Sequence, residues 1–167
     1  TGWELGPLCS SYTGGPSSFP SASLGFGTNL CGTYDAGSDN SLISPSYTIP
    51  QGASARFVWK HWMCSEASWD GGALYTSVNG GAWNQAYVNY ANGTNWYDGQ
   101  ITYTQAFVNT DVWDGPASCA WSANSWVNME YDLSNMSGNN VSFKFRQMAD
   151  SGGQYAGWYL DDIGLEV

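Results

Sequence analysis

The stretch Gly157-Trp158-Tyr159-Leu160-Asp161-Asp162-Ile163-Gly164-Leu165-Glu166-Val167 decides how the rest of the chain is read. As a strand it puts Ile163, Leu165 and Val167 on one face, because successive side chains alternate. Two adjacent carboxylates interrupt this apolar run. A strand so hydrophobic belongs inside a sheet, where a charge needs a partner or a metal. Alternation predicts that Asp161 faces the core with Ile163 and that Asp162 faces the other way.

Working back from this strand, the same period of two recurs. Val141, Phe143 and Phe145 alternate with Ser142, Lys144 and Arg146; Val127, Met129, Tyr131 and Leu133 line one face of the segment before. Ile101, Tyr103, Gln105 and Phe107 alternate over 101–107, and Phe57 and Trp59 oppose Arg56, Val58 and Lys60. Asn79-Gly80-Gly81 signals a hairpin between 73–78 and 82–88. Residues 41–49 read as an edge strand, because Pro45 cannot donate to a ladder. No window carries an apolar helical stripe. Short strands with Gly-rich turns predict an all-β chain, a sandwich or barrel, in a single domain over 1–167. Opening on Thr1 rather than Met, the chain is expected to be a mature or excised module of a longer protein.

Composition narrows the function. Four Lys and Arg stand against 14 Asp and Glu, a formal net charge of −10. Nucleic acid and anionic lipid, which need clustered basic residues, are poor partners. An aromatic content of 16% excludes disorder. No run is long and apolar enough for a membrane helix. The abundance of Gly, Ser, Thr and Asn over charged residues suits a secreted β-protein. The four cysteines, Cys9, Cys31, Cys64 and Cys119, lack metal-binding spacing and predict two disulfides. Cys9–Cys31 with Cys64–Cys119 is favoured because each pair lies in loop-like sequence, though three connectivities are open. With His61 as the only histidine, zinc centres and His-based nucleophilic catalysis are disfavoured. Fourteen carboxylates leave a glycosidase compositionally open, but no pair stands out, and the expectation is a non-catalytic module.

Two constellations remain. Calcium takes six to eight hard oxygens, often from distant segments. Glu4, the loop 35–40 with Asp35 and Asp39, and Asp161/Asp162 are candidates. Three segments rich in Trp, Tyr, Asn and Gly interrupt the strands at 62–72, 89–99 and 109–125. Trp62 and Trp69 flank Cys64, Trp96-Tyr97 lies in the second, and Trp113 and Trp121 flank Cys119. Flat aromatic faces beside amide and carboxylate partners suit sugar rings or a protein surface.

Four segments together carry a resemblance. They are Ser41-Leu42-Ile43-Ser44-Pro45; Asp70-Gly71-Gly72-Ala73-Leu74-Tyr75-Thr76-Ser77-Val78-Asn79-Gly80-Gly81-Ala82-Trp83; Trp126-Val127-Asn128-Met129-Glu130-Tyr131-Asp132-Leu133-Ser134 with Gly138; and Val141-Ser142-Phe143-Lys144-Phe145-Arg146 through Asp150 to Gly157-Trp158-Tyr159-Leu160-Asp161-Asp162-Ile163. In this order they resemble the MAM-like jelly-roll domains of secreted proteins, especially the modules attached to bacterial immune-inhibitor-A-type metallopeptidases. The end of the chain also resembles the closing strand of calcium-containing carbohydrate-binding jelly rolls. The resemblance implies a two-sheet antiparallel jelly roll with a structural calcium held by Asp161 and Glu4, with Asp35 or Asp39. The Cys64 and Cys119 loops depart from the family pattern, and the peptidase's H-E-x-x-H motif is absent.

The resulting expectation is a secreted single module, monomeric in isolation, that binds polysaccharide or cell-surface glycan through its aromatic loops. The alternative is a protein-interaction or adhesion domain accessory to an extracellular protease or adhesin.

Overall fold

A computed structural model describes residues 2–21, 23–87, 96–115 and 125–167. The described residues form β1 (Glu4–Gly6), β2 (Gly25–Gly27), β3 (Asp39–Ile43), β4 (Tyr47–Thr48), β5 (Arg56–Cys64), β6 (Gly71–Val78), β7 (Asn84–Gln85), β8 (Gly99–Ile101), β9 (Thr110–Val112), β10 (Val127–Asp132), β11 (Asn140–Met148) and β12 (Gly157–Glu166). One sheet runs β1-β2-β12-β5-β10, and a second runs β3-β11-β6-β7 with β4 also on β11. All pairings are antiparallel. The architecture is the expected two-sheet antiparallel β-sandwich.

The alternation seen in sequence builds the space between the sheets. Phe57 on β5 stacks on Phe143 of β11 at 3.6 Å between ring centroids, joining the two sheets directly. Trp59, Phe145 and Trp158 continue this layer, all buried. Removing each such side chain from water contributes on the order of 2–3 kcal/mol. The edge strand at 41–49 is present but broken around Pro45 into β3 and β4, both paired with β11. There Ser44 Oγ accepts the Phe143 N–H at 2.9 Å, a side-chain acceptor where the ladder is interrupted.

A second apolar cluster lies on the outer face of the first sheet. Trp62, Cys64 and Tyr159 meet Phe19 and Leu30 there, under the N-terminal segment. The Cys9–Cys31 disulfide ties that segment together, as expected. Its close approach needs Gly25, where a Cβ would come within 2.3 Å of the Phe19 ring. Cys119 falls outside the described residues, and so does the expected Cys64–Cys119 pair.

Three expectations change. β5 continues through Cys64, so Trp62 belongs to a strand rather than a loop, because both faces of that strand are covered. The run 101–107 is strand only to Ile101. The chain then turns over 102–109 and returns in β9, with Asn109 at φ 65° donating its N–H to Ile101 O. Most consequentially, β12 carries a register shift between Asp161 and Gly164, with Asp162 at φ 51°. Trp158 and Leu160 face the core before it, and Ile163 and Leu165 after it. Asp161 therefore shares the outer face with Tyr159, not the core face with Ile163.

Candidate functional site

Three carboxylates gather beside the turn that joins β5 to β6. Glu66 and Asp70 lie in this turn and Asp150 follows β11; one oxygen from each lies within 4.8 Å of the others. Asp70 is fully buried. Its Oδ1 accepts the Asp150 N–H and its Oδ2 accepts the Tyr34 hydroxyl, both at 2.7 Å. The Glu66 N–H in turn donates to the Tyr34 hydroxyl oxygen at 3.2 Å. Gly153, at φ 64°, lets the chain pass over Glu66; a Cβ there would lie 1.7 Å from Glu66 Oε2.

Burial pushes the Asp70 carboxyl up to about 6, and the charges of Asp150 and Glu66 push the same way. No basic side chain compensates. The four Lys and Arg are committed elsewhere: Arg56 to Glu130 and Glu166, Lys60 to Asp162, Arg146 to Asp39, and Lys144 against the Tyr75 and Trp83 rings. His61 is neutral, its pKa lowered to about 3 by burial. Three hard oxygen donors without a protein counter-charge make a set that a divalent cation such as calcium would satisfy.

The metal ligands expected from sequence are spread over the molecule instead. Glu4 Oε2 accepts the Leu30 N–H at 2.7 Å and fastens the N-terminal segment. Asp161 accepts from Ser21 N at 2.8 Å, Ser21 Oγ at 2.7 Å and Asp162 N at 2.8 Å. Its buried charge is thus met by hydrogen bonds, because the bulge turns it toward that segment. Asp39 takes the Arg146 guanidinium with both oxygens, at 2.7 and 2.8 Å. Asp35 directly follows Tyr34, so the early loop does adjoin the acidic cluster, but through the tyrosine. Glu66, Asp70 and Asp150 are not among the candidates read from the sequence. No local motif links positions so far apart, and only the fold brings them together.

The aromatic residues divide sharply. Trp62, Trp96, Tyr97 and Trp113 are buried. Trp62 packs edge-on to Tyr159 under the N-terminal segment. Trp96, Tyr97 and Trp113 fill one end of the inter-sheet core against Trp59, His61 and Trp158. The Tyr97 hydroxyl donates to Ala86 O at 2.9 Å and accepts the Leu74 N–H at 3.3 Å. Buried in this way, these four offer no ring face to a ligand. Trp121 lies outside the described residues.

Trp69 is the exception. It is 36% exposed and lies against Tyr103, which is 59% exposed, with centroids 4.8 Å apart and planes 31° apart. The pair is held from beneath. Ser68, at φ 69°, gives its carbonyl to Thr102 N and Tyr103 N and its N–H to Asp114 Oδ2. The Thr104 hydroxyl donates to Trp69 O. The Trp69 N–H donates to Glu66 O at 3.1 Å, so the turn that carries Trp69 also carries two of the clustered acids, while Tyr103 comes from the turn over 102–109. Tyr103 was missed because the alternation over 101–107 placed it on a strand.

Fold and site together describe a disulfide-bonded β-sandwich module with an acidic cluster at the base of an exposed aromatic turn. The chain belongs to the immune inhibitor A-like MAM domain family, whose model matches residues 34–167. Bacillopeptidase F of Bacillus subtilis (strain 168) is 27% identical over 164 residues, covering 98% of this chain and 9% of that protein. The chain thus spans a small part of the relative's length. Among solved structures it is similar to TmCBM61 in complex with beta-1,4-galactotriose, with a TM-score of 0.44 and 13% identity over 87% of this chain and 71% of that one. It is also similar to the family 35 carbohydrate binding module from Clostridium thermocellum, with a TM-score of 0.41 and 18% identity over 99% and 92%.

Proposed function

We propose that this chain is a non-catalytic, secreted module, monomeric on its own, that binds carbohydrate through Trp69 and Tyr103. The observation that carries this reading is the exposed, tilted aromatic pair formed by two turns that hydrogen bonds fix to each other. Such a surface meets a sugar ring with little loss of side-chain entropy and excludes water from the ring's apolar face. The disulfide supports an oxidising, extracellular setting.

Calcium is the proposed cofactor, held by Glu66, Asp70 and Asp150. It would neutralise the cluster and clamp the Trp69 turn to the segment after β11. Glycan-array screening followed by calorimetry of Trp69→Ala and Tyr103→Ala tests the main reading. Loss of binding in both variants, with the melting temperature unchanged, is expected; full binding by both would overturn it. The match to a peptidase by name supports a second reading, a protein-contacting accessory domain. An array without glycan hits and a pulled-down protein partner lost in Trp69→Ala would favour that reading.

A further inference from the structure

The outer face of the second sheet carries a basic and aromatic surface that the Trp69 turn does not use. Ile43, Lys144, Tyr75 and Gln85 stand in register across β3, β11, β6 and β7. This row covers three interstrand spacings, roughly 14 Å. Lys144 Nζ lies 4.7 Å from the Tyr75 ring centroid and 4.9 Å from that of Trp83. Two residues along β11, the Arg146 guanidinium lies 5.4 Å from the Phe107 ring.

The balance of charge on this face is unusual. The chain has 14 acidic residues and four basic ones. Arg56, Lys60 and Arg146 each meet a carboxylate oxygen at 3.0 Å or less. Among the described residues, Lys144 is the basic side chain with no carboxylate within ion-pair distance. Two rings hold its ammonium, an attraction of about 0.5–2 kcal/mol that fixes its position without neutralising it. Asp39 engages both edges of the Arg146 fork, so Arg146 is already neutralised and does not compete for an anion. An ammonium has three N–H donors, and ring contacts satisfy none of them as a carboxylate would. Of the nearby charges, Asp39 and Arg146 act on Lys144 in opposite senses, and acids farther off are screened beyond about 8 Å at physiological ionic strength.

We propose that this face is a subsite for a carboxylated sugar, a uronate within an oligosaccharide. Its carboxylate pairs with Lys144 Nζ, and its ring lies along the edges of Tyr75 and Trp83. The class of ligand rests on the carbohydrate reading above; the site itself involves neither Trp69 nor the acidic cluster.

The test is titration of the intact protein with trigalacturonate, with its fully methyl-esterified form, and with an oligoglutamate of equal charge. The wild type should bind the acid about tenfold more tightly than the ester, the worth of one charge-assisted contact. Lys144→Gln should erase that preference while the melting temperature holds, and Lys144→Arg should restore it. Equal affinity for acid and ester, a preference surviving Lys144→Gln, or oligoglutamate binding as tightly as trigalacturonate would each overturn the proposal. Trp69→Ala separates the two readings. If it leaves neutral glycan binding intact while Lys144→Gln still erases the acid preference, the Trp69 reading fails and the Lys144 subsite stands.

Discussion

Leu160 and Ile163 pack into the same inter-sheet core although they stand three positions apart on one strand. Strict alternation forbids this. The register shift between Asp161 and Gly164 supplies the extra residue, and Asp162 absorbs it at φ 51°. Asp161 is thereby turned to the outer face, where Ser21 meets it, and Asp162 reaches Lys60 at 2.7 Å.

Replacing Asp162 therefore separates backbone strain from charge. Both Asp162→Gly and Asp162→Ile lose the ion pair with Lys60, which, partly exposed, contributes about 0–1 kcal/mol. Glycine accepts a positive φ without cost, whereas a β-branched residue there costs about 1–3 kcal/mol. Urea unfolding should show Asp162→Ile less stable than Asp162→Gly by that margin. Equal stabilities would mean that the bulge relaxes away.

The acidic cluster predicts a reversal on adding calcium. Burial raises the folded-state pKa of Asp70 to about 6, from an ordinary value of 3.8. Its favourable contribution is therefore complete below 3.8 and lost as the pH rises through about 6. At pH 7 in EDTA, Asp70→Asn should melt at or above the wild-type temperature, since a repelled charge has gone. Millimolar calcium should raise the wild-type melting temperature and leave Asp70→Asn unmoved, because a ligand of the native state stabilises it. A wild type indifferent to calcium would remove the cation from the cluster.

What the sequence made legible follows its periodicity. Phe57, Trp59, Phe143 and Phe145 alternate cleanly, and each faces the core as read. The terminal strand was read correctly as a strand but with one face too regular, because a bulge leaves no residue signature at Asp162. Tryptophans near cysteines read as loop residues and so as binding candidates, and the sequence leaves their exposure open. An indole in polar sequence can equally be a core residue brought in by its segment, as Trp96 and Trp113 are. The acidic cluster was illegible for a different reason. Glu66 and Asp70 share a turn, but Asp150 arrives from another strand end, and Tyr34 from the segment before β3.

His61 should make the fold sensitive to acid. It is fully enclosed, and burial lowers its pKa from 6.5 to about 3. Its Nδ1 accepts the Trp158 indole N–H at 3.3 Å, and the Trp113 ring lies edge-on at 5.1 Å. With a depressed folded-state pKa, the contribution is complete above 6.5 and lost as the pH falls through about 3. Asp70 acts in the opposite sense between 3.8 and 6, so the His61 effect is best read as a difference. In His61→Gln the amide oxygen can still accept from Trp158, and the variant has no imidazole to protonate. Its melting temperature should fall less than that of the wild type between pH 7 and pH 4. Parallel curves would show that His61 is open to solvent.

Trp69 and Trp113 should behave as opposites when each is replaced by alanine. Trp113 is buried against Trp59, His61, Trp96, Tyr97 and Trp158, and its indole N–H donates to Trp96 O. Its removal leaves a cavity in the core and takes away the donor to Trp96 O. The expected loss is about 3–5 kcal/mol, measured by urea unfolding. Trp69 makes its ring contact with Tyr103 at the surface, and the turn beneath is held by backbone and threonine hydrogen bonds that alanine preserves. Its removal should change stability by less than about 1 kcal/mol while weakening glycan binding at least tenfold, since a fully stacked aromatic anchor contributes 2 kcal/mol or more. A Trp69→Ala protein that unfolds early would make this indole a structural residue, and the exposed pair would then no longer define the binding surface.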